Sequence, residues 1–132
     1  MTPEFLEVEH VLILHEEQIE EFGGTHGVRD LGLLTSAVVQ PQSTFGGELL
    51  HSSLFDMAAA YLFHLVSNHP FFDGNKRVGL AAALVFLKLN GEPIRQSTSE
   101  LYDLTLAVAQ GRLGKRILAE RLRDLRRREA DC

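Results

Sequence analysis

Several residue types are scarce in this chain of 132 residues, and each scarcity excludes a class of protein. Tryptophan is absent. The single cysteine is Cys132, and one cysteine excludes an internal disulfide framework. The longest apolar run, residues 80–87, is well short of the roughly 18 residues that a membrane span requires. The first residues are acidic and lack a signal-peptide pattern. We therefore expect one globular domain, residues 1–132, in a cytoplasmic setting and away from membranes.

Positive charge is also scarce over most of the chain. Residues 1–111 carry 14 acidic and 5 basic side chains, whereas residues 112–132 carry 4 acidic and 8 basic ones. Because the body is acidic, we expect no direct nucleic-acid binding. Two of its five basic residues are adjacent, Lys76 and Arg77. This pair indicates an anionic ligand at this point. Alternatively, the two cations cap a helix or lie on the surface.

Apolar residues at helical spacing are abundant. They predict helices at about residues 3–22, 31–39, 53–68, 75–90, 99–110 and 115–128. The start signals are Thr2 with Pro3, Asp30, Ser52 or Ser53, and the capping-box spacing of Ser97 to Glu100. The helices at 53–68 and 75–90 are apolar on nearly all sides, which predicts an all-α bundle built around this central pair.

The remaining segments leave more than one interpretation open. Residues 40–47 are glycine-rich and fit a short hairpin, a mobile flap or a plain loop, and residues 92–96 fit a short extended piece. His10 and His15 have no spaced metal-binding partner, so we interpret them as ordinary helix residues. The arginines of the last helix suit its C-terminal dipole, and contact with an acidic partner is the alternative.

One polar loop joins the two central helices: residues 69–77 read His-Pro-Phe-Phe-Asp-Gly-Asn-Lys-Arg. A helix that begins near Asn75 would offer its first backbone N–H groups to an anion. Gly74 would allow the anion to approach closely, and Asn75 can add an amide donor. Lys76 and Arg77 add full positive charge beside these dipoles. The loop therefore predicts a phosphate-binding site.

The other loop residues predict chemistry on that phosphate. Asp73 offers the hard oxygen ligand that Mg²⁺ prefers. His69 can accept a hydroxyl proton at neutral pH. Phe71 and Phe72 would hold the loop against the core. A metal ligand, an anion site and a base within one turn indicate the transfer of a phosphorus-containing group from a nucleoside triphosphate to an alcohol.

This motif resembles the signature of the Fic/Doc family. The Fic form reads His-x-Phe-x-(Asp/Glu)-Gly-Asn-Gly-Arg-x-x-Arg, and the form of the Doc (death on curing) toxins reads His-x-Phe-x-Asp-(Ala/Gly)-Asn-Lys-Arg. The likeness covers nearly the whole chain, including residues 22–24, 54–61 and 86–91. It implies a compact all-helical fold with the motif loop between two central helices.

The resemblance also implies a role for each motif residue. By position these are His69 as the catalytic base, Asp73 as the Mg²⁺ ligand, Gly74, Asn75, Lys76 and Arg77 as the phosphate-binding residues, and Phe71 as the anchor of the loop.

Two departures from the Fic form favour the Doc branch. Lys76 stands where Fic proteins have a second glycine, and Leu80 stands where they have a second arginine. Those positions help adenylylating members to hold the β and γ phosphates, and a lysine would crowd that pose. The Doc likeness implies an ATP- and Mg²⁺-dependent kinase toxin that modifies a threonine of elongation factor Tu and arrests translation. Pro70 and Gly74 favour the Fic form, so AMP transfer is the first alternative, and a non-catalytic binding module is the second.

Control of such a toxin is expected to come from a partner. The inhibitory helix motif Ser/Thr-x-x-x-Glu-Gly/Asn is missing: Thr44 to Glu48 has the spacing but is followed by Leu49. The resemblance then implies a Phd-type antitoxin whose tail folds onto the toxin. It also implies that the segment 40–47 aligns the backbone of the protein target.

Overall fold

The computed structural model describes residues 2–96 and 98–130 and confirms the predicted all-α bundle. In chain order its elements are α1 (Val8–Phe22), α2 (Leu31–Val39), a 3₁₀ turn (Gln40–Gln42), β1 (Thr44–Phe45), β2 (Glu48–Leu49), α3 (Leu54–Asn68), α4 (Asn75–Leu89), α5 (Thr98–Ala109) and α6 (Lys115–Ala130). None of these described helices has both the length and the apolarity to cross a membrane.

Helices α3 and α4 form the centre of the bundle. Every residue from Met57 to Leu62 is buried, so α3 is covered on all sides over more than one turn. Gly79 of α4 permits the close contact between the two helices, because a Cβ at this position would lie 2.9 Å from Cγ2 of Val66. This tight pair fixes both ends of the motif loop, which runs from the end of α3 to the start of α4.

Helix α1 begins later than the sequence predicts. Thr2 and Pro3 carry the residue types of a helix start, but the helix begins at Val8. Its start is capped locally, since the backbone N–H of Glu7 donates to Nδ1 of His10 at 2.9 Å. The predicted start at residue 3 is therefore wrong.

Long-range hydrogen bonds explain why residues 2–7 stay outside the helix. The side chain of Asn90 bonds to both backbone groups of Glu4, with Oδ1 accepting at 2.8 Å and Nδ2 donating at 3.0 Å. The backbone N–H of Leu6 donates to the hydroxyl of Tyr61 at 2.8 Å, in the buried core. Because these partners satisfy the backbone, the segment needs no helical bonds, and its extended path brings α1 onto α4.

The segment after α2 forms the hairpin, one of the three structures that its composition allows. Strands β1 and β2 pair antiparallel, and the turn between them consists of Gly46 and Gly47, both with positive φ. Pro41 does not end the helical path at once but lies buried in the 3₁₀ turn. Residues 92–95 have no regular structure, and the predicted capping box at Ser97 lies outside the described residues.

The arginines of α6 fasten this helix to the rest of the bundle. Three side-chain pairs do so: Arg123 with Ser53 at 3.0 Å, Arg126 with Glu92 at 2.9 Å, and Arg128 with Glu100 at 2.8 Å. Much of the positive charge near the C-terminus is therefore used within the chain. Contact of this face with an acidic partner stays an untested alternative.

Candidate active site

The motif loop starts with a strained residue. His69 caps the C-terminus of α3 with φ of 51°, in the left-handed region that residues other than glycine rarely adopt. The side chain of Arg29 holds it there, with Nε donating to the carbonyl of His69 at 2.7 Å and Nη2 donating to the carbonyl of Asn68 at 3.1 Å. The backbone is thus fixed at a point where the imidazole of His69 is exposed.

The middle of the loop is paired with the segment that precedes α2. The carbonyl of Pro70 accepts hydrogen bonds from the backbone N–H groups of Arg29, at 2.7 Å, and Asp30, at 3.0 Å. The N–H of Phe72 donates to the carbonyl of Gly27 at 3.3 Å. A loop held by backbone pairing on one side is a rigid platform for the side chains that it carries.

Phe71 and Phe72 have different environments. Phe71 is fully buried, as expected for a residue that holds the loop against the core, whereas Phe72 is 56% exposed. The expectation that Phe72 also contacts the core is wrong. The alternating direction of side chains along this extended stretch accounts for the difference, since Phe71 forms a β-bridge with Val28.

The side chain of Asn75 is bonded to the loop itself. Its Oδ1 accepts from the N–H of Phe71 and its Nδ2 donates to the carbonyl of Phe71, both at 3.0 Å. Asn75 is only 4% exposed. The phosphate-binding role predicted for Asn75 stays a prediction, and its backbone N–H is the better placed donor.

Asp73 is an ionised carboxylate with an open side. Oδ2 accepts the N–H of Thr25 at 3.1 Å and Oδ1 accepts the N–H of Gly74 at 2.9 Å. These two backbone hydrogen bonds, with smaller contributions from Arg77 and His15, lower the pKa of Asp73 below its usual value. The side chain is still 47% exposed. A hard, charged oxygen ligand with an open side is the kind of ligand that Mg²⁺ prefers in proteins.

Helix α4 starts at Asn75, two residues after Asp73, and its first N–H groups point out of the helix, where an anion can bind. Its first intrahelical bond runs from Val78 N–H to the carbonyl of Gly74, so the N–H groups of residues 75–77 have no acceptor among the described residues. Gly74 precedes them with φ of 77°, a conformation suited to glycine. The ammonium of Lys76 is exposed and has no hydrogen bond or ion pair with the described part of the chain.

Arg77 links two helices and also adds positive charge to the site. Its Nη1 donates to the carbonyls of Gly23, at 2.9 Å, and Gln18, at 3.3 Å, at the end of α1. Its Nη2 lies 3.9 Å from Oδ1 of Asp73. The guanidinium therefore links α1 to α4 and places positive charge next to the carboxylate.

These groups surround one pocket of about 430 Å³. Its lining consists of Val66, His69, Phe72, Asp73, Gly74, Asn75, Lys76, Arg77 and Ala109. The structure thus brings together every motif residue predicted from the sequence except Phe71, which lies beneath the pocket in the core. A base, a carboxylate, cations and helix N–H groups in one concave site can bind a phosphate ester and accept a proton.

His15 contacts the motif loop, which sequence reasoning did not predict. Its ring lies parallel to the ring of Phe71, with centroids 3.8 Å apart, and its Nε2 lies 2.8 Å from the carbonyl oxygen of Asp73. His15 lies in α1 as predicted, and what the prediction lacked is its contact with the loop. A signal was present, because His15 falls between Val11 and Ile19 on the one face of α1 that is buried.

The comparisons with known proteins agree with the geometry of the site. The model of the Fic/DOC family matches residues 5–87, which include α1 to α3, the motif loop and most of α4. The protein kinase Doc of Escherichia phage P1 is 35% identical over 117 residues, which cover 89% of this chain and 91% of the relative. The toxin Doc of Mycolicibacterium smegmatis is 51% identical over 70 residues, or 53% of this chain and 54% of the relative. The chain belongs to the Fic/Doc family and lies on its Doc branch.

Proposed function

We propose that this protein is the toxin of a toxin–antitoxin pair and acts as a kinase. It transfers the γ-phosphate of ATP to a threonine hydroxyl of elongation factor Tu and so arrests translation. The observation that carries the proposal is the pocket at the start of α4, which is lined by an exposed imidazole, an ionised carboxylate, an ammonium and helix N–H groups. The ammonium and these N–H groups have no partner in the part of the chain that the structure describes. Phosphoryl transfer requires positioning and charge stabilisation, and these are the groups that provide both.

The reaction assigns one step to His69. Its imidazole accepts the proton of the target hydroxyl while the hydroxyl oxygen forms a bond to the γ-phosphorus. The bond from the γ-phosphorus to the bridging oxygen breaks, and ADP leaves with that electron pair. The hydrogen bonds from Arg29 to the carbonyls of Asn68 and His69 hold the backbone that carries the ring.

The residues at the start of α4 hold the phosphates. Phosphate oxygens bind to the side chain of Lys76 and to the N–H groups of residues 75–77, which lack an acceptor in residues 2–96 and 98–130. Arg77 adds charge from the side of α1. Asp73 would hold a Mg²⁺ ion, which neutralises phosphate charge when it is bound. Thr25 and Gly74 keep the carboxylate turned towards this position.

Lys76 and Leu80 favour transfer of the terminal phosphate over transfer of AMP. Lys76 projects from the first turn of α4 into the pocket lining, and Leu80 offers no charge on the next turn. Protein adenylylation is the second candidate, favoured by Pro70 and Gly74, the two motif positions that are closer to the Fic form. The similarity to one relative named a protein kinase and another named a toxin supports the first candidate and, with it, a Phd-type antitoxin as partner.

A reaction with purified elongation factor Tu, ATP and Mg²⁺ tests the proposal. We expect phosphorylation of one threonine, located by mass spectrometry of the digested target, and none with His69→Ala. The proposal fails if the wild-type protein leaves elongation factor Tu unmodified under conditions in which a verified Doc kinase modifies it.

A further inference from the structure

We propose that His15 is a positioning residue that fixes the peptide plane between Asp73 and Gly74, and through it the metal-binding carboxylate. The proposal rests on the function given above for Asp73. It assigns to α1, whose buried face is otherwise apolar, a direct part in building the metal site.

The contact of His15 with the loop is closely defined. The residue is 3% exposed, its ring is within 7° of parallel to the ring of Phe71, and Nε2 lies 2.8 Å from the carbonyl oxygen of Asp73. A carbonyl oxygen can only accept a hydrogen bond, so Nε2 carries the proton and donates. The stacked ring cannot turn away without losing its contact with Phe71.

The accepting carbonyl needs this partner. Asp73 lies one residue before the cap of α4, and the first bond of that helix uses the carbonyl of Gly74 instead. Without His15 the carbonyl of Asp73 would lose the hydrogen bond that the structure gives it. A partly buried carbonyl without a partner is costly, which favours rotation of the peptide towards water.

Rotation of this peptide plane would disturb the carboxylate. The C=O of Asp73 and the N–H of Gly74 belong to one planar peptide unit and point in opposite directions within its plane. That N–H donates to Oδ1 of Asp73 at 2.9 Å. Gly74 has φ of 77° and, as a glycine, also accepts negative φ, so the local chain offers little resistance to a flip. The hydrogen bond from His15 therefore holds the N–H that orients the carboxylate.

Two substitutions separate the hydrogen bond from the packing. His15→Phe keeps an aromatic ring against Phe71 but removes the donor. His15→Gln restores an N–H at the reach of Nε2. His10→Phe is the matched control, because His10 is an exposed imidazole of the same helix that caps its start rather than contacting the loop.

Two measurements are made on each purified variant: the Mg²⁺ dependence of ATP binding by calorimetry, and the exchange rate of the Gly74 amide by NMR without nucleotide. We expect His15→Phe to weaken Mg²⁺ binding about tenfold, as loss of a residue that orients a metal ligand does, and to speed Gly74 exchange. His15→Gln should recover most of both, and His10→Phe should change neither.

A folded His15→Phe protein with wild-type Mg²⁺ dependence and wild-type Gly74 exchange overturns the proposal. If His15→Phe does not fold, the nitrogen shifts of the His15 ring in the wild type decide, since a proton on Nδ1 alone is incompatible with donation to Asp73. Wild-type protein that binds no ATP would refute the proposed function, and the nucleotide-free exchange of Gly74 would still test the role of His15.

Discussion

Gly24 and the carboxylate of Asp73 are in such close contact that only a hydrogen atom fits between them. A Cβ at Gly24 would lie 2.6 Å from Oδ2 of Asp73 and 3.0 Å from Cδ1 of Ile19. The next residue, Thr25, donates its N–H to the same oxygen. The end of α1 is thus shaped around the side chain that we propose binds the metal.

Gly24→Ala should damage the metal site more than the fold. We expect the Mg²⁺ dependence of ATP binding to weaken about tenfold or more, because the new methyl group displaces Oδ2 of Asp73. Gly23→Ala is the control, since Gly23 also has positive φ but a Cβ there would have no neighbour within 4 Å. Both variants should lose stability from backbone strain. Equal Mg²⁺ affinities in calorimetry would contradict the proposed role of this contact.

Substitution of Asn75 should first affect stability. Asn75→Ala leaves both backbone groups of buried Phe71 without partners, and we expect the free energy of unfolding to fall by about 1–3 kcal/mol. Asn75→Asp keeps the acceptor for the N–H of Phe71 but places a carboxylate oxygen against the carbonyl of Phe71, so it should also lose stability. Urea unfolding measures both. If Asn75→Ala keeps full stability and loses only ATP affinity, the amide serves the ligand rather than the loop.

Lys76→Ala should have the opposite effect. The ammonium of Lys76 has no bond to the described part of the chain, so its removal should leave the unfolding midpoint unchanged. The affinity for ATP should fall several-fold, because a cation beside the phosphates is lost. Lys88→Ala removes a cation from the last turn of the same helix and should leave ATP affinity at the wild-type level. Similar ATP affinities of the two variants would show that Lys76 does not contribute to ATP binding.

The stability of the fold should fall in acid because of a partly buried histidine, His64. Nζ of Lys115 lies 3.0 Å from Nε2 of His64 and 3.3 Å from Nε2 of His51. Burial, together with the charge of Lys115 and the proximity of His51, lowers the pKa of His64 from 6.5 to about 4. Burial, followed by Lys115, also lowers the pKa of His51, against opposing effects of Asp56 and the backbone of Gln40.

Between these two pKa values of His64, the unfolded chain binds a proton that the folded chain does not. Stability should therefore decrease as the pH falls from about 6.5 towards 4, by at most about 1.4 kcal/mol per pH unit for one proton. Urea unfolding at about pH 7 and about pH 5 measures the effect, and His64→Gln should reduce the difference. If the change in the free energy of unfolding between the two pH values is the same in this variant as in the wild type, the change arises from other groups.

The parts of the fold that sequence reasoning predicted depend on local signals. Asp30 caps α2 as predicted, with its side chain accepting from the N–H of Leu33. Of the two serines predicted to open α3, Ser53 is the cap and accepts from the N–H of Asp56. The central pair of helices was visible because apolar residues cover nearly all of their surface. The motif was found because its polar residues are adjacent in the chain.

The errors come from contacts between residues far apart in the sequence. Asn90 keeps Glu4 out of α1, although 86 residues separate them. His15 reaches Asp73 across 58 residues, and Arg29 reaches the carbonyl of His69 across 40. No local pattern encodes such pairs. The single-domain extent, the cytoplasmic setting and the antitoxin stay predictions, and Cys132 lies outside the described residues.

The most direct test of the account compares ATP labelled on the α-phosphate with ATP labelled on the γ-phosphate. Each is incubated with the protein and elongation factor Tu, with His69→Ala in parallel. The kinase proposal predicts that only the γ label reaches the target and that the signal falls by about 10²–10⁴-fold in the variant, the usual loss for a general base. Transfer of the α label would contradict the proposal and show that Lys76 tolerates the adenylylating pose of ATP.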